Sequence, residues 1–248
     1  MAMFNGRDVH IELSGWTEVE LDKTIRKAAL IADAGLRIAF LSGFFLGLEY
    51  KESTLSGTSN TAEVFAVNLS GVDCFTFIDY IEAMRLSDSF DSFLKNLQQV
   101  RYVNSIVSYE RRKHFFTDWT AYEPASVAEL TDRIGGRKVK SILKMLNRLE
   151  DGTPLLPGLR PYQRNVRYIP AEAIDALMVQ KLKTGDYAGI YSALQGLDVS
   201  HVGIIIKDGS YVSLRHASSD RRYRKVIDQD FQEYISGTPG LIVLRPRG

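Results

Sequence analysis

The chain is poor in the residues that staple or steer a fold from outside its core. One cysteine among 248 residues, Cys74, excludes an internal disulfide and any zinc site built from several thiolates. Neither sign of charge is in excess: 31 Lys and Arg stand against 30 Asp and Glu, a net charge of +1. That balance leaves no footprint for nucleic acid and no polybasic face for a membrane. No apolar run is long enough to span a bilayer. The most apolar stretch, Leu36 to Leu48, is about 13 residues and carries Arg37, where about 20 are needed. Met1 to Leu13 has no cationic segment followed by an apolar core. The chain as given is therefore expected in the cytoplasm, or in the periplasm if a leader was removed. Histidines number four, and there is no internal repeat or low-complexity tract.

What is present is a good supply of core. Apolar residues make up 45%, enough for a sizeable interior at this length. Thr17-Glu18-Val19-Glu20 is a capping-box pattern, with Leu21, Ile25, Ala28, Ala29 and Ala32 following at helical spacing up to Gly35. Ile38 to Leu48 reads as a second, buried helix broken at Gly43 or Gly47, and Tyr50 to Thr61 as a loop. Val64 to Leu69 alternates like a short strand. Ser89 to Tyr102 is amphipathic through Phe90, Phe93, Leu94, Leu97 and Val100. Val103 to Trp119 mixes aromatics with charges and reads as a loop or short helix lining a surface. Ser126-Val127-Ala128-Glu129 is another capping-box pattern, opening a Lys- and Arg-rich region. Pro170 and Gly185 bracket a helix over Ala171 to Thr184. Strands are expected at Tyr187 to Leu194, Val202 to Lys207, Tyr211 to Arg215 and Leu241 to Leu244. Helices first and strands later argue for an α+β fold. The expected organisation is one domain over 1–248 with a helical insertion around 120–165.

The chemistry-bearing stretch is Asp73-Cys74-Phe75-Thr76-Phe77-Ile78-Asp79-Tyr80-Ile81-Glu82. A Gly-containing turn leads into it and a helical pattern leads out. If Asp73 or Ser70 caps that helix, Cys74 sits in its first turn, where backbone N–H groups and the helix dipole stabilise a thiolate. A lone cysteine on an apolar helix is also commonly a small buried hydrophobe. Two histidines flank the best hairpin signal in the chain, Val202 to Lys207 and Ser210 to Arg215 across Asp208-Gly209. With those two residues as the turn, Lys207 faces Ser210, Ile206 faces Tyr211, and His201 lands opposite His216. A thiolate to attack, an imidazole as base and then acid, and a second group to orient it make a complete nucleophilic set. A zinc site from His114, His201, His216 and an Asp is the competing arrangement, although no pair shows the i, i+4 spacing of metal ligands.

Gly71-Val72-Asp73-Cys74-Phe75-Thr76-Phe77, then Gly196-Leu197-Asp198-Val199-Ser200-His201-Val202-Gly203, then His216-Ala217-Ser218-Ser219 resemble the papain-like, NlpC-type cell-wall hydrolases. Arg101-Tyr102, Tyr109, Arg112 to Trp119 and Gly185-Asp186 resemble its N-acetylmuramoyl-L-alanine amidase-like branch. The resemblance runs from about Phe45 to the C-terminus. It implies a papain-like fold with a helical N-terminal part and the nucleophile helix packed on an antiparallel sheet. It also implies Cys74 as nucleophile, His201 as base and His216 as orienting residue. Tyr50 lies where the superfamily often has Gly-x-Pro-Tyr; Glu49 replaces the proline here, and the phenol is either an oxyanion donor or a packed helix-end tyrosine. Arg112, His114 and Trp119 would shape the substrate site, Asp73 would cap the helix or touch substrate, and Ser200 would give local support.

The implied reaction is hydrolysis of the amide between N-acetylmuramic acid, in normal or anhydro form, and L-alanine of a muropeptide or peptidoglycan. No metal or cofactor is called for. A stem-peptide endopeptidase cutting after D-glutamate, a lipid-modifying acyltransferase and a non-catalytic peptidoglycan-binding protein are the alternatives. Oligomeric state is open.

Overall fold

The computed structural model describes residues 2–4 and 7–248. The chain divides into two compact units, Met1–Lys113 with His216–Ile227, and His114–Arg215 with Asp228–Gly248.

Among the described residues the first unit combines a small sheet with four α-helices. Strands β1 (Ala2–Phe4), β2 (Arg7–Glu12) and β3 (Phe65–Asn68) stand in that order, β1–β2 antiparallel and β2–β3 parallel. Helix α1 (Glu18–Ala29) starts at the capping box read from the sequence: Glu20 N–H donates to Thr17 and the Glu20 carboxylate accepts from the Thr17 N–H. It stops at Leu30, before Gly35, which lies inside the next helix. That helix, α2 (Ala34–Gly43), is opened by Asp33, whose side chain accepts from Leu36 N–H. The Asp33 cap decides the boundary, since it starts a new helix before the glycine can end the old one.

Helices α3 (Cys74–Arg85) and α4 (Phe90–Arg101) follow, capped by Asp73 and Ser89. Phe90, Phe93, Leu94, Leu97 and Val100 of α4 are all buried, as the amphipathic pattern requires. Burying five such side chains contributes on the order of 10 kcal/mol before conformational entropy is subtracted. Beneath α3, Arg101 Nε donates to the Asp79 carboxylate at 2.9 Å and Nη1 to the Ala66 carbonyl at 2.8 Å.

The second unit is built on an antiparallel sheet. Its elements are α5 (Asp118–Ala121), β4 (Val127–Glu129), α6 (Thr131–Gly135), β5 (Lys140–Leu146), β6 (Tyr162–Pro170), α7 (Ala176–Lys181), β7 (Tyr187–Tyr191), β8 (Val199–Asp208), β9 (Tyr211–Ala217), β10 (Val226–Asp230), α8 (Phe231–Ser236) and β11 (Gly240–Pro246). Strand order is β10-β9-β8-β7-β11-β6-β5, with β4 also on β11. The last two residues of β9 and the first two of β10 belong to the first unit. Ile134, Met178, Val179, Ile190, Ile205, Leu241 and Phe231 are among the residues of the core.

Four expectations change here. Residues 127–129 form a strand, because pairing with Leu244 to Pro246 outweighs the capping-box pattern. The stretch at 120–165 carries two short helices, but its longest element is β5, paired over seven residues with β6. The expected helix over 171–184 shortens to α7, started by Asp175, because Pro170 closes strand β6. The β8–β9 turn is Gly209-Ser210, with Asp208 paired to Tyr211 and Ile204 to Arg215. Gly209 takes φ +57° at the first turn position, as a Gly-first hairpin turn requires. This register does not make His201 and His216 a directly opposed pair. No helix among the described residues is long and apolar enough to cross a membrane.

Candidate active site

Cys74 is the first residue of α3. The preceding segment is tied in place by a short run of backbone pairing: Val72 N–H donates to Glu49 O and Lys51 N–H to Val72 O, both at 3.0 Å. Asp73 then takes extended backbone (φ −87°, ψ 178°) and turns its carboxylate onto the helix. Its Oδ1 accepts from Thr76 N–H at 2.7 Å and from the Thr76 hydroxyl at 2.9 Å, while Thr76 Oγ1 accepts from Asp73 N–H at 3.0 Å. The reciprocal cap fixes the first turn, so the half-buried Cys74 lies at the positive end of the helix dipole.

Tyr50 belongs to the same unit and is 9% exposed. Its N–H donates to Arg224 O at 2.9 Å, its carbonyl accepts from Arg224 Nη2 at 3.3 Å, and the guanidinium lies 4.6 Å from the ring centre. Burial pushes the phenol up to about 12, and negative charge at Cys74 and then Asp73 adds to the rise. At neutral pH Tyr50 is thus a protonated hydrogen-bond donor whose charge state is coupled to Cys74. His216, near the end of β9, is buried at 1% exposure; Ser218 N–H, two residues on, donates to Lys225 O at 3.0 Å.

Arg112 is braced within the first unit. Its Nε donates to Glu63 at 3.1 Å, Nη2 meets the other Glu63 oxygen, and Nη2 also donates to Ser56 O at 2.6 Å. The Tyr102 hydroxyl donates to the same carboxylate at 2.6 Å. Arg112, expected to shape the substrate site, thus has its guanidinium fork filled by Glu63.

In the second unit, His201 is half-buried on β8 and pairs with Ile190 of β7, while Val199 pairs with Tyr191. Ser200 is the extra residue between them, exposed, with Oγ 3.4 Å from Ile190 O. This β-bulge re-aims the strand just before His201. The His201 ring centre lies 6.1 Å from that of Tyr234.

The loop before the bulge is held from two sides. Asp198 is buried and accepts from Thr117 N–H and its neighbour Val199 N–H, both at 2.8 Å; burial pushes its carboxyl pKa up. The Lys144 ammonium donates to the carbonyls of Ser192, of Leu194 at 2.9 Å and of Leu197 at 2.7 Å, and lies 4.8 Å from the Tyr191 ring centre. Burial lowers the Lys144 pKa, and the charge of Asp198 opposes that shift.

His114 is half-buried, whereas Trp119 is 3% exposed and packs edge-on to Tyr187 at 5.1 Å and beside Phe116 at 6.4 Å. Phe116 itself presses on Gly189, where an added Cβ would stand 2.5 Å from the ring. Of the stretch expected to line a surface, residues 115–119 are core, whereas Glu110 and Arg111 are exposed. Two of its charges turn inward, Asp118 to Arg164 at 2.9 Å and Lys113 Nζ to Gln99 O at 3.1 Å. Glu63, Lys144 and Arg224 went unread in the sequence, since isolated charged residues in loops and edge strands carry no periodic signal. Among the described residues no group of three or more His, Cys, Asp or Glu side chains is placed to hold a metal ion.

A helix-start cysteine beside a protonated phenol is an arrangement suited to acyl transfer, and the sequence matches a family with such chemistry in its name. Residues 40–241 match the family model described as AmiA-like, N-acetylmuramoyl-L-alanine amidase-like. The chain belongs to this amidase-like family. The amidase-like fold is shared with distant solved structures. A protein of Legionella pneumophila str. Philadelphia 1 is 22% identical, with TM-score 0.77 over 93% of this chain and 96% of that one. An N-acetylmuramoyl-L-alanine amidase from Bacteroides uniformis is 22% identical, with TM-score 0.70 over 87% of this chain and 99% of that one. No curated protein matches the chain.

Proposed function

We propose that this amidase-like protein is a cysteine amidase of papain-like, NlpC-type fold. In this reading it hydrolyses the amide between the lactyl group of N-acetylmuramic acid, in normal or anhydro form, and L-alanine. The observation that carries the reading is Cys74 at the capped start of α3, two residues after the Val72 that bridges to Tyr50. Membership of the amidase-like family supplies the substrate class.

The Cys74 thiolate attacks the lactyl carbonyl carbon. Tyr50 O–H, with the Cys74 backbone N–H, donates to the oxyanion that forms. As the C–N bond breaks, His201 gives a proton to the alanine nitrogen, and the stem peptide leaves with a free amine. A water, deprotonated by His201, attacks the thioester carbon; the C–S bond breaks, the lactyl carboxylate departs and the thiolate returns. His216 serves as the orienting residue. The Ser200 bulge and the Lys144 and Asp198 anchors support this reading by giving His201 a fixed backbone. His114 is a candidate substrate contact, while Arg112, Asp73 and Trp119 act as positioning groups through Glu63, Thr76 and Tyr187.

The test is mass spectrometry of muramyl and anhydro-muramyl tripeptides after incubation with the wild-type chain and with Cys74→Ala. The expected result is free peptide beginning at L-alanine, formed by the wild type and lost in the variant. Cleavage after D-glutamate would move the protein to the endopeptidase class. Release that persists in Cys74→Ala would sink the cysteine mechanism.

A further inference from the structure

The second unit contains a cavity of about 600 Å³ beside β4 and α6, at the C-terminal end of β11. Four cationic side chains line it: Arg133, Lys181, Lys183 and Arg245. Leu130, Ile134 and Pro246 supply apolar wall. Its volume lies within the range of small-molecule sites.

The fold fixes two of the cations. Arg245 holds Asp186 through Nε at 2.6 Å and Nη2 at 2.7 Å. Lys181 Nζ donates to the Ile134 carbonyl at 3.0 Å, which orients the ammonium without cancelling its charge. Arg133 and Lys183 are exposed and form no ion pair among the described residues. The neighbouring carboxylates are engaged elsewhere. Asp186 also accepts from Lys183 N–H at 2.8 Å, and Asp132 and Glu129 each hold Arg167 at 2.7 Å. Positive charge on Arg133, Lys181 and Lys183 is thus left facing a concave surface that is partly apolar.

The cavity is separate from the His201 row of the sheet. His201 pairs with Ile190 and Ile190 with Leu241, whereas the cavity begins at Arg245, four strand positions further on. At the rise of an antiparallel strand that is about 14 Å.

We propose that this cavity binds a small amphipathic anion, a phosphate or carboxylate carried on a short apolar chain. The cations make charge-assisted hydrogen bonds to the head, and Leu130, Ile134 and Pro246 remove the chain from water. The proposal does not depend on the amide-cleavage reading. Its test is calorimetric titration of the full chain with octyl phosphate below its micellar concentration. Saturable one-to-one binding is expected, at least about tenfold tighter than that of inorganic phosphate or octyl glucoside, because head and chain both contribute. The exposed double substitution Arg133→Ser, Lys183→Ser should weaken it by about tenfold or more, while Lys95→Ser on α4 leaves it unchanged. Octanoate in place of octyl phosphate reports which head is preferred, and saturable binding by either supports the site. Absence of saturable binding by both, equal binding of octyl glucoside, or full affinity in the double variant would overturn it.

Discussion

Asp79 on α3 and Asp118 on α5 are both shut away from water, and both face an arginine, but their surroundings differ. Asp118 is completely served. One oxygen accepts from the Tyr162 hydroxyl and Arg164, the other from Phe115 N–H, and Arg164 also reaches the Thr117 carbonyl. Asp79 accepts from Arg101 through one oxygen only; its Oδ1 and Arg101 Nη2 have no hydrogen-bond partner among the described residues. Burial pushes both carboxyl pKa values up, against the opposing pull of the arginine. The contrast separates two uses of a buried charge. Around Asp118 the carboxylate organises backbone; on α3 it serves mainly to neutralise Arg101.

The comparison breaks most visibly at Arg101. Arg101→Met should cost about 3–5 kcal/mol in urea unfolding, because it strands Asp79. The double substitution Asp79→Val, Arg101→Met should recover most of that loss. Its counterpart, Asp118→Val with Arg164→Met, should show no such recovery, since Phe115 N–H and the Tyr162 hydroxyl lose their acceptor. If both doubles recover equally, the distinction drawn above is wrong. Lys144→Met offers an intermediate case. It should cost about 2–3 kcal/mol and raise proteolytic cutting within 192–198, as three carbonyls lose a donor.

Smaller still is Asp73→Ala, expected to cost about 1 kcal/mol by removing the α3 cap. Equal unfolding midpoints for this variant and the wild type would show that tertiary packing alone fixes the first turn. The least perturbing measurement is absorbance titration at alkaline pH. Tyr50 should titrate at about 12, so the wild-type minus Tyr50→Phe difference should lack a step near 10. With the folded value above the unfolded one, the stability linked to this phenol is full below pH 10 and is lost as pH rises through about 12.

Helix starts were legible because caps are local: Thr17, Asp73 and Ser89 each sit with their partner three residues on. The strands β7, β8, β9 and β11 were legible because both faces or one face are apolar. Strand β5 was not. It is an edge strand whose residues 140–143 are exposed, and Lys140 and Lys144 break any alternation. The hairpin register slipped because Asp208-Gly209 and Gly209-Ser210 both offer a glycine, and only the backbone says which turn position it takes. Of the site, Cys74 at a helix start could be read from sequence. The clamp of Glu63 on Arg112 and the carbonyl cage around Lys144 depend on residues some fifty positions apart, and no spacing rule reaches them.

The bulge at Ser200 makes chain length unequal in its effects on the two sides of His201. Ser200 stands outside the ladder, so a chain one residue shorter at this point could close the pairing from Tyr191 onward without moving His201 off Ile190. Val199 would stay on Tyr191, and Leu197 upstream of it would keep its carbonyl on the Lys144 ammonium, whereas a chain one residue shorter before Val199 would draw that carbonyl away by about one strand step, roughly 3.4 Å. A residue lost at the bulge is thus absorbed by the ladder, and a residue lost in the loop before it is registered by the lysine.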